Sequence, residues 1–203
     1  MRLPPLRLHP SFLVLGALFI GWELVTAGIT AALTASAFGV ALFGSVALHE
    51  LGHALMAMHF GIRTRSITLY PFGGIAALER EPLGRAELWI ALAGPAVNFG
   101  LGGVGLALMG IVPGAGVFAA LNVGMGLFNL LPAFPMDGGR VVRAWWTREQ
   151  GHRKATHRAL KVSRWFAWGF IGLAVVTGAW NLALVGVFLH FMVRAESNRL
   201  RFS

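Results

Sequence analysis

Residues 12–48 read FLVLGALFIGWELVTAGITAALTASAFGVALFGSVAL, a run with a single charge, Glu23. A helix needs about 20 predominantly apolar residues to cross a hydrocarbon core of roughly 30 Å, so this run is close to twice the length of one span. A break is expected near Ala27 to Ala35, where Gly28 clusters with Thr26, Thr30 and Thr34. The same length rule, carried outward, yields a third span at Leu88 to Leu108 and a short fourth at Val117 to Leu131, separated by the Pro113-Gly114-Ala115-Gly116 turn. Val162 to Val193 is again too long for one helix, and Thr177-Gly178-Ala179-Trp180-Asn181 is its expected turn. The expected architecture is an all-α polytopic membrane protein with six transmembrane helices, at about 12–28, 36–60, 88–108, 117–131, 162–177 and 181–194.

Composition agrees. Of 203 residues 56% are apolar and 12% charged, with a mean hydropathy of +0.68, which excludes a soluble globule. Cysteine is absent, which excludes disulfides, a thiolate metal site and a cysteine nucleophile. Any metal must be held by His, Asp, Glu or Asn. Seventeen Lys+Arg against eight Asp+Glu give a net charge of +9. With six spans, Arg2 and Arg7, then Arg63, Arg65, Arg80 and Arg85, then the run from Arg140 to Arg164, and finally Arg194, Arg199 and Arg201, all fall on one side. The opposite loops carry no charge, and merging either long stretch into one helix would put a basic cluster on the wrong side. Both termini are therefore expected in the cytoplasm. The positive charge is then a topology signal with attraction to anionic lipid headgroups, and nucleic acid is not an expected partner. No cleavable signal peptide and no internal repeat are evident.

Inside the second expected span lies Ala47-Leu48-His49-Glu50-Leu51-Gly52-His53-Ala54. Residues four apart share a helix face, so His49 and His53 can aim two imidazoles at one metal while Glu50 reaches a water on it. Zinc suits such a pair, given one more protein ligand and an open fourth position. Counted back from Phe60, the pair lies roughly 10 to 16 Å inside the membrane at 1.5 Å per residue. Structural histidines are the bland alternative, but three ionisable groups on one turn are expensive in a bilayer and mark function. The third ligand should be acidic. Glu79, Glu81, Glu87, Glu149 and Glu196 fall in cytoplasmic segments. Glu23 sits in the first span, where it could hydrate a water path or meet an Asn or Ser of a neighbouring helix. Asp137 closes Asn129-Leu130-Leu131-Pro132-Ala133-Phe134-Pro135-Met136-Asp137, framed by two prolines before it and Gly138-Gly139 after it. Such a segment can carry an aspartate back into a bundle, or end as a cytoplasmic turn with Asp137 as helix cap.

The order of His49-Glu50-Leu51-Gly52-His53 and Asn129-x-x-Pro132-x-x-x-x-Asp137-Gly138, with Phe72-Gly73-Gly74 and Gly94-Pro95-Ala96-Val97-Asn98 between them, resembles the site-2 protease family of intramembrane zinc metalloproteases. It is most similar to the six-span group that includes the sporulation pro-sigma-factor protease and archaeal relatives. The resemblance covers nearly the whole chain, read as one metalloprotease domain over residues 1–203, and shows no PDZ or CBS domain. It implies a zinc endopeptidase that cuts in or near a transmembrane segment of a membrane protein in regulated proteolysis. His49, His53 and Asp137 would hold one zinc per chain, Glu50 would be general base and acid, and Asn129 would lie near the scissile carbonyl. An amide donor suits a developing oxyanion there, though an interhelical hydrogen bond is an equal use for Asn129. Asn98 would support the site from behind or merely pack.

Thr64 to Glu79 reads as a hairpin, with strand residues from Thr64 to Tyr70, a turn at Pro71 to Gly74 and a return over Ile75 to Leu78. In the family this position holds a membrane-associated hairpin beside the active site, whose edge, with Gly73 and Gly74, could receive an extended substrate. An amphipathic loop is the alternative. A membrane metal or ion transporter using the same His/Asp groups is the competing function. It would be expected to show two related halves, whereas the His and Asp motifs occur once each, in different forms.

Overall fold

A computed structural model describes residues 3–71 and 73–202, apart from the side chains of 199–202. Arg2, Phe72 and the side chains of Arg199 and Arg201 lie outside the described residues. The chain is mostly helical: β1 (Leu6–Leu8), α1 (Pro10–His59), β2 (Thr64–Tyr70), β3 (Gly73–Leu78), α2 (Arg85–Ala107), α3 (Ala115–Asn129), α4 (Asp137–Gln150), α5 (His152–Thr177) and α6 (Trp180–Phe202). By length and composition α1, α2 and α5 can each cross a membrane, and α3 is a shorter apolar helix. The chain forms two compact units, residues up to 81 with 96–126, and residues 82–95 with 127 onward.

In the first unit α1 is helical throughout except at Gly28, where φ is 84° and ψ −178°. The chain reverses there. The Phe12 ring packs edge-on against Phe43 with centroids 4.3 Å apart, whereas a straight helix would separate them by about 46 Å. The two long arms are therefore antiparallel, and both ends of α1 arrive together. His9 caps the first arm by accepting from the Ser11 N–H, and its own N–H donates to Leu69 O, beyond the second arm, at 2.9 Å. The expected break over Ala27 to Ala35 thus shrinks to one residue, and the second arm starts at Ile29 rather than residue 36. The reason lies in the hydroxyls. Thr26, Thr34 and Ser36 each donate to the carbonyl four residues back, at 2.8, 2.9 and 2.7 Å, so they are satisfied within the helix and do not end it.

The hairpin is present, but it belongs to a three-stranded sheet of order β1-β2-β3. β2 and β3 pair antiparallel through Leu69↔Gly74 and Thr68↔Ile75, and β1 adds in parallel through Leu6↔Ile67 and Leu8↔Leu69. Three residues among prolines carry too little periodicity to announce β1 beforehand. Alternate β2 residues, Ile67 and Leu69, are buried with Ala54 of the second arm, flanked by Val46, Ala47 and Ala76. The sheet therefore lies on the arm that bears His49 and His53, with β3 at its edge. Residues 96–126 of α2 and α3 run antiparallel, Gly102 facing Val123, Gly105 facing Ala119 and Gly126 facing Phe99.

In the second unit α5 and α6 are joined by Gly178 and enclose the segment before α4. Ala133 and Met136 are buried with Ala167 and Leu189, and Phe134 with Ala159, Leu160 and Val193. α5 begins ten residues before the expected span, so the basic run from Arg140 to Arg164 is helical, as α4 and the first turns of α5. Glu87 and Arg143, both expected in cytoplasmic segments, form a buried ion pair. Arg143 Nε and Nη2 reach Glu87 Oε1 at 2.6 and 2.5 Å, and Glu87 is 0% exposed.

Gly28 supplies a sharp test, because no heavy atom lies within 4 Å of where its Cβ would be, and conformation alone is at stake. Gly28→Ala is expected to lower stability by about 1–3 kcal/mol through the positive φ. Gly21→Ala, equally open but helical, should be neutral or slightly stabilising. Thermal unfolding of the detergent-solubilised variants reads the difference, and equal effects would remove the reversal from Gly28.

Candidate metal centre

The second arm of α1 places His49 and His53 one turn apart on the face that also buries Ser45, Gly52 and Ala57. Each histidine is only 5% exposed, and the rings meet edge-on with centroids 4.7 Å apart. Their Nε2 atoms approach to 3.1 Å. Two nitrogens on one tetrahedral zinc, each at about 2.0–2.1 Å, would stand roughly 3.3 Å apart. The imidazoles are thus already set to share an ion.

The far side of His49 faces Asn98 of α2, with Nδ1 2.5 Å from Asn98 Oδ1. A carbonyl oxygen only accepts, so Nδ1 carries the proton and Nε2 keeps its lone pair. Asn98 Nδ2 donates in turn to Asn122 Oδ1 at 3.1 Å and contacts Met125 Sδ at 3.4 Å. Asn122 Nδ2 donates to the Phe118 carbonyl at 3.0 Å. Asn98 and Asn122 are both 0% exposed. Asn122 was invisible to the motif reading, although a second amide inside the apolar fourth span, besides Asn129, was the available signal.

Glu50, next to His49, is half-buried and lies under strand β3. A Cβ at Gly74 would run into Glu50 Cγ and Cδ and come within 3.0 Å of Oε1. Only a glycine lets the β3 backbone lie that close to the carboxylate. Gly73 begins the strand opposite Tyr70.

Asp137 opens α4, and the capping position falls on Met136, so Asp137 is not the helix cap. The segment before it is held tightly. Phe134 N–H donates to Ser163 Oγ at 2.8 Å, and that hydroxyl donates to Ala159 O at 2.7 Å. A side chain at Gly138 would strike the carbonyls of Leu130 and Leu131, so the backbone folds back on itself before presenting the carboxylate. Arg143 holds α4 to Glu87 and lies 5.2 Å from the Phe134 ring centre. Asp137 is 7% exposed, with Arg140 Nη1 3.4 Å from Oδ1. Asn129 is the half-buried last residue of α3. Glu23 is half-buried on the first arm of α1, and no Asn or Ser partner is assigned to it among the described residues.

His49, His53 and Asp137 are each buried, and each offers one atom that could hold a metal ion. Two neutral imidazoles and one carboxylate, without thiolate, are the donor set of a catalytic zinc site, in which three protein ligands leave a position open. The residues fit the ion.

Comparison with known proteins agrees. Residues 37–121 and 107–170 match Peptidase family M50. Zinc metalloprotease MJ0392 of Methanocaldococcus jannaschii is 34% identical over 200 residues, covering 95% of this chain and 58% of that protein. Stage IV sporulation protein FB of Bacillus subtilis is 30% identical over 147 residues, covering 69% of this chain and 48% of that protein. The chain thus spans about half the length of these curated relatives. The solved structure of the site-2 protease from Methanocaldococcus jannaschii superposes with a TM-score of 0.72 at 33% identity, covering 97% of this chain and 92% of that one. With a family match across the motif-bearing region and a solved relative of the same fold, the chain belongs to Peptidase family M50, the site-2 protease family.

Proposed function

We propose that the chain is an intramembrane zinc endopeptidase that hydrolyses a peptide bond in or near a transmembrane segment of a membrane protein, in regulated proteolysis. The observation that carries the reading is the buried His49/His53 pair on the helix turn that also bears Glu50, with the buried Asp137 at the start of α4 to complete the donor set. His49 Nε2, His53 Nε2 and an Asp137 oxygen would hold one zinc per chain. When bound, zinc supplies Lewis acidity, which makes water a competent nucleophile near neutral pH. Glu50 takes the proton from the attacking water and delivers it to the amide nitrogen as the C–N bond breaks. Asn129 offers a neutral N–H donor to the oxyanion that develops on the scissile carbonyl.

The substrate must be extended before its carbonyl can be attacked, because a helix hides its carbonyls in internal bonds. Strand β3 supplies the partners. It is an edge strand, and its Gly74 lies against Glu50, so a segment added along it would be delivered beside the base. The two arms of α1, with α2, α3, α5 and α6, provide six membrane crossings with both termini in the cytoplasm, and the flanking arginines meet anionic headgroups. Residues 1–203 act as one intramembrane metalloprotease domain.

Purified protein should contain about one zinc per chain by elemental analysis, lost in His49→Ala, His53→Ala and Asp137→Ala, while Glu50→Gln keeps zinc and loses hydrolysis by at least about a hundredfold. Zinc retained in all three ligand variants would end the metalloprotease reading.

Gly74→Ala should keep zinc and lose activity on every substrate, because the added methyl displaces Glu50. Proline at Ala76 or Ala77, at whichever position points outward, removes an edge donor. It should impair cleavage of a membrane substrate more than of a short, extended soluble peptide. Equal impairment of both would remove strand addition and leave the zinc site standing.

The absence of cysteine makes topology directly readable. Single cysteines at Ile29, Val112 and Ala179 should react with an impermeant maleimide from outside the cell. Cysteines at Glu81 and Gln150 should react only from the cytoplasm. Mixed labelling within either set refutes six crossings.

A further inference from the structure

We propose that Asn122, on α3, is a positioning residue that sets the tautomer of His49 through Asn98 and so fixes Nε2 as the nitrogen that binds metal. The inference rests on the metal site proposed above and deepens it. Its basis is the polarity of the buried chain His49 Nδ1, Asn98, Asn122, Phe118 O. An imidazole can carry its proton on either nitrogen, and an amide can turn over, so no one link of such a chain defines its own direction. The far end does. Phe118 O is a backbone carbonyl and accepts only. Asn122 must therefore present Nδ2 to it, 3.0 Å away, which turns Oδ1 towards Asn98. Asn98 must then present Nδ2 to Asn122 and Oδ1 to His49. His49 has to donate from Nδ1, and its lone pair is left on Nε2, 3.1 Å from His53 Nε2.

Reversal of the chain is penalised at every link, since both amides are 0% exposed and no bulk water can repair a mismatched pair. Without the Asn122 oxygen, Asn98 Nδ2 retains only the poor acceptor Met125 Sδ at 3.4 Å. The Asn98 amide is then free to turn over and offer N–H to Nδ1. That admits the tautomer with hydrogen on Nε2 beside the original one, and the admitted tautomer cannot bind metal until it gives up the proton. The asparagine that faces no ligand thereby decides which nitrogen of a ligand is available.

The test is zinc affinity of the full chain in detergent, measured by chelator competition, and its failure is separate from failure of the site itself, which wild-type zinc content reports. Asn122→Leu should weaken zinc binding by about tenfold, the scale of lost support to a metal-bound histidine. Asn122→Asp offers an oxygen to Asn98 in either protonation state and should stay within about twofold of wild type. Asn98→Asp keeps an acceptor on His49 and has no amide to turn, so adding Asn122→Leu to it should cost less than about twofold. If the leucine variant does not fold, Asn122→Ser repeats the arm, because a serine hydroxyl bonds the carbonyl one turn back and is too short for Asn98. Unchanged affinity on removing the Asn122 oxygen, the same loss with and without Asn98→Asp, or a loss in Asn122→Asp equal to that of leucine would each overturn the proposal.

Discussion

A buried imidazole N–H must meet an acceptor, because no water is at hand to supply one. That constraint organises the first compact unit. The ligand nitrogens of His49 and His53 face one another, so the Nδ1 proton of His49 needs an acceptor from another helix. Asn98 supplies it from α2, and the Asn98 amide then needs an acceptor of its own, which brings Asn122 from α3. Only a backbone carbonyl, on Phe118, closes the account. The close packing of α2 and α3 through Gly102, Gly105 and Gly126 is what allows two amides on different helices to touch. Small residues on that seam are thus as much a requirement of the metal ligand as of helix association.

The same logic explains where irregular backbone appears. In lipid, non-helical peptide groups survive only when buried in protein or lining a polar cavity. α1 reverses at a single glycine, so few carbonyls lose their partners. Before Asp137 the irregular stretch is longer, and it is correspondingly buried between α5 and α6. Ser163 accepts the Phe134 N–H, and the glycines after Asp137 leave room for the Leu130 and Leu131 carbonyls.

Much of this was legible in the sequence because hydropathy and one motif are strong signals. The doubled apolar run over residues 12–48 and the His49/His53 pair state their purpose without tertiary context, whereas the Pro/Gly frame of Asp137 could equally have ended as a turn and gained its meaning from the His pair. The hairpin was legible too, from threonine, isoleucine and tyrosine alternating before Pro71 and Gly73. What stayed hidden depended on partners that the residue types alone do not announce. Thr30 and Thr34 looked like a break because hydroxyls are common in turns, yet the Thr34 hydroxyl is satisfied by the carbonyl of Thr30 itself. β1 exists only because β2 is there to receive it. Asn122 carries no motif, and its meaning comes from Asn98, 24 residues earlier.

Glu87 and Arg143 were hidden for the same reason, and they show what burial does to a charge. Taken singly, each belongs with the cytoplasmic residues that mark topology. Brought together they leave water almost completely, 0% and 5% exposed, and the cost of desolvating two ions is offset only by close contact. Such a pair contributes less to net stability than to definition of geometry, since neither partner tolerates a shifted alternative. Arg143 lies two turns along the helix that Asp137 opens, and its guanidinium sits over Phe134, in the segment that leads into Asp137. A rotation of α4 that moved the carboxylate would therefore also pull an arginine off its glutamate and its aromatic ring. The helix is held in one rotational setting by an interaction whose penalty for misplacement is larger than its contribution to folding.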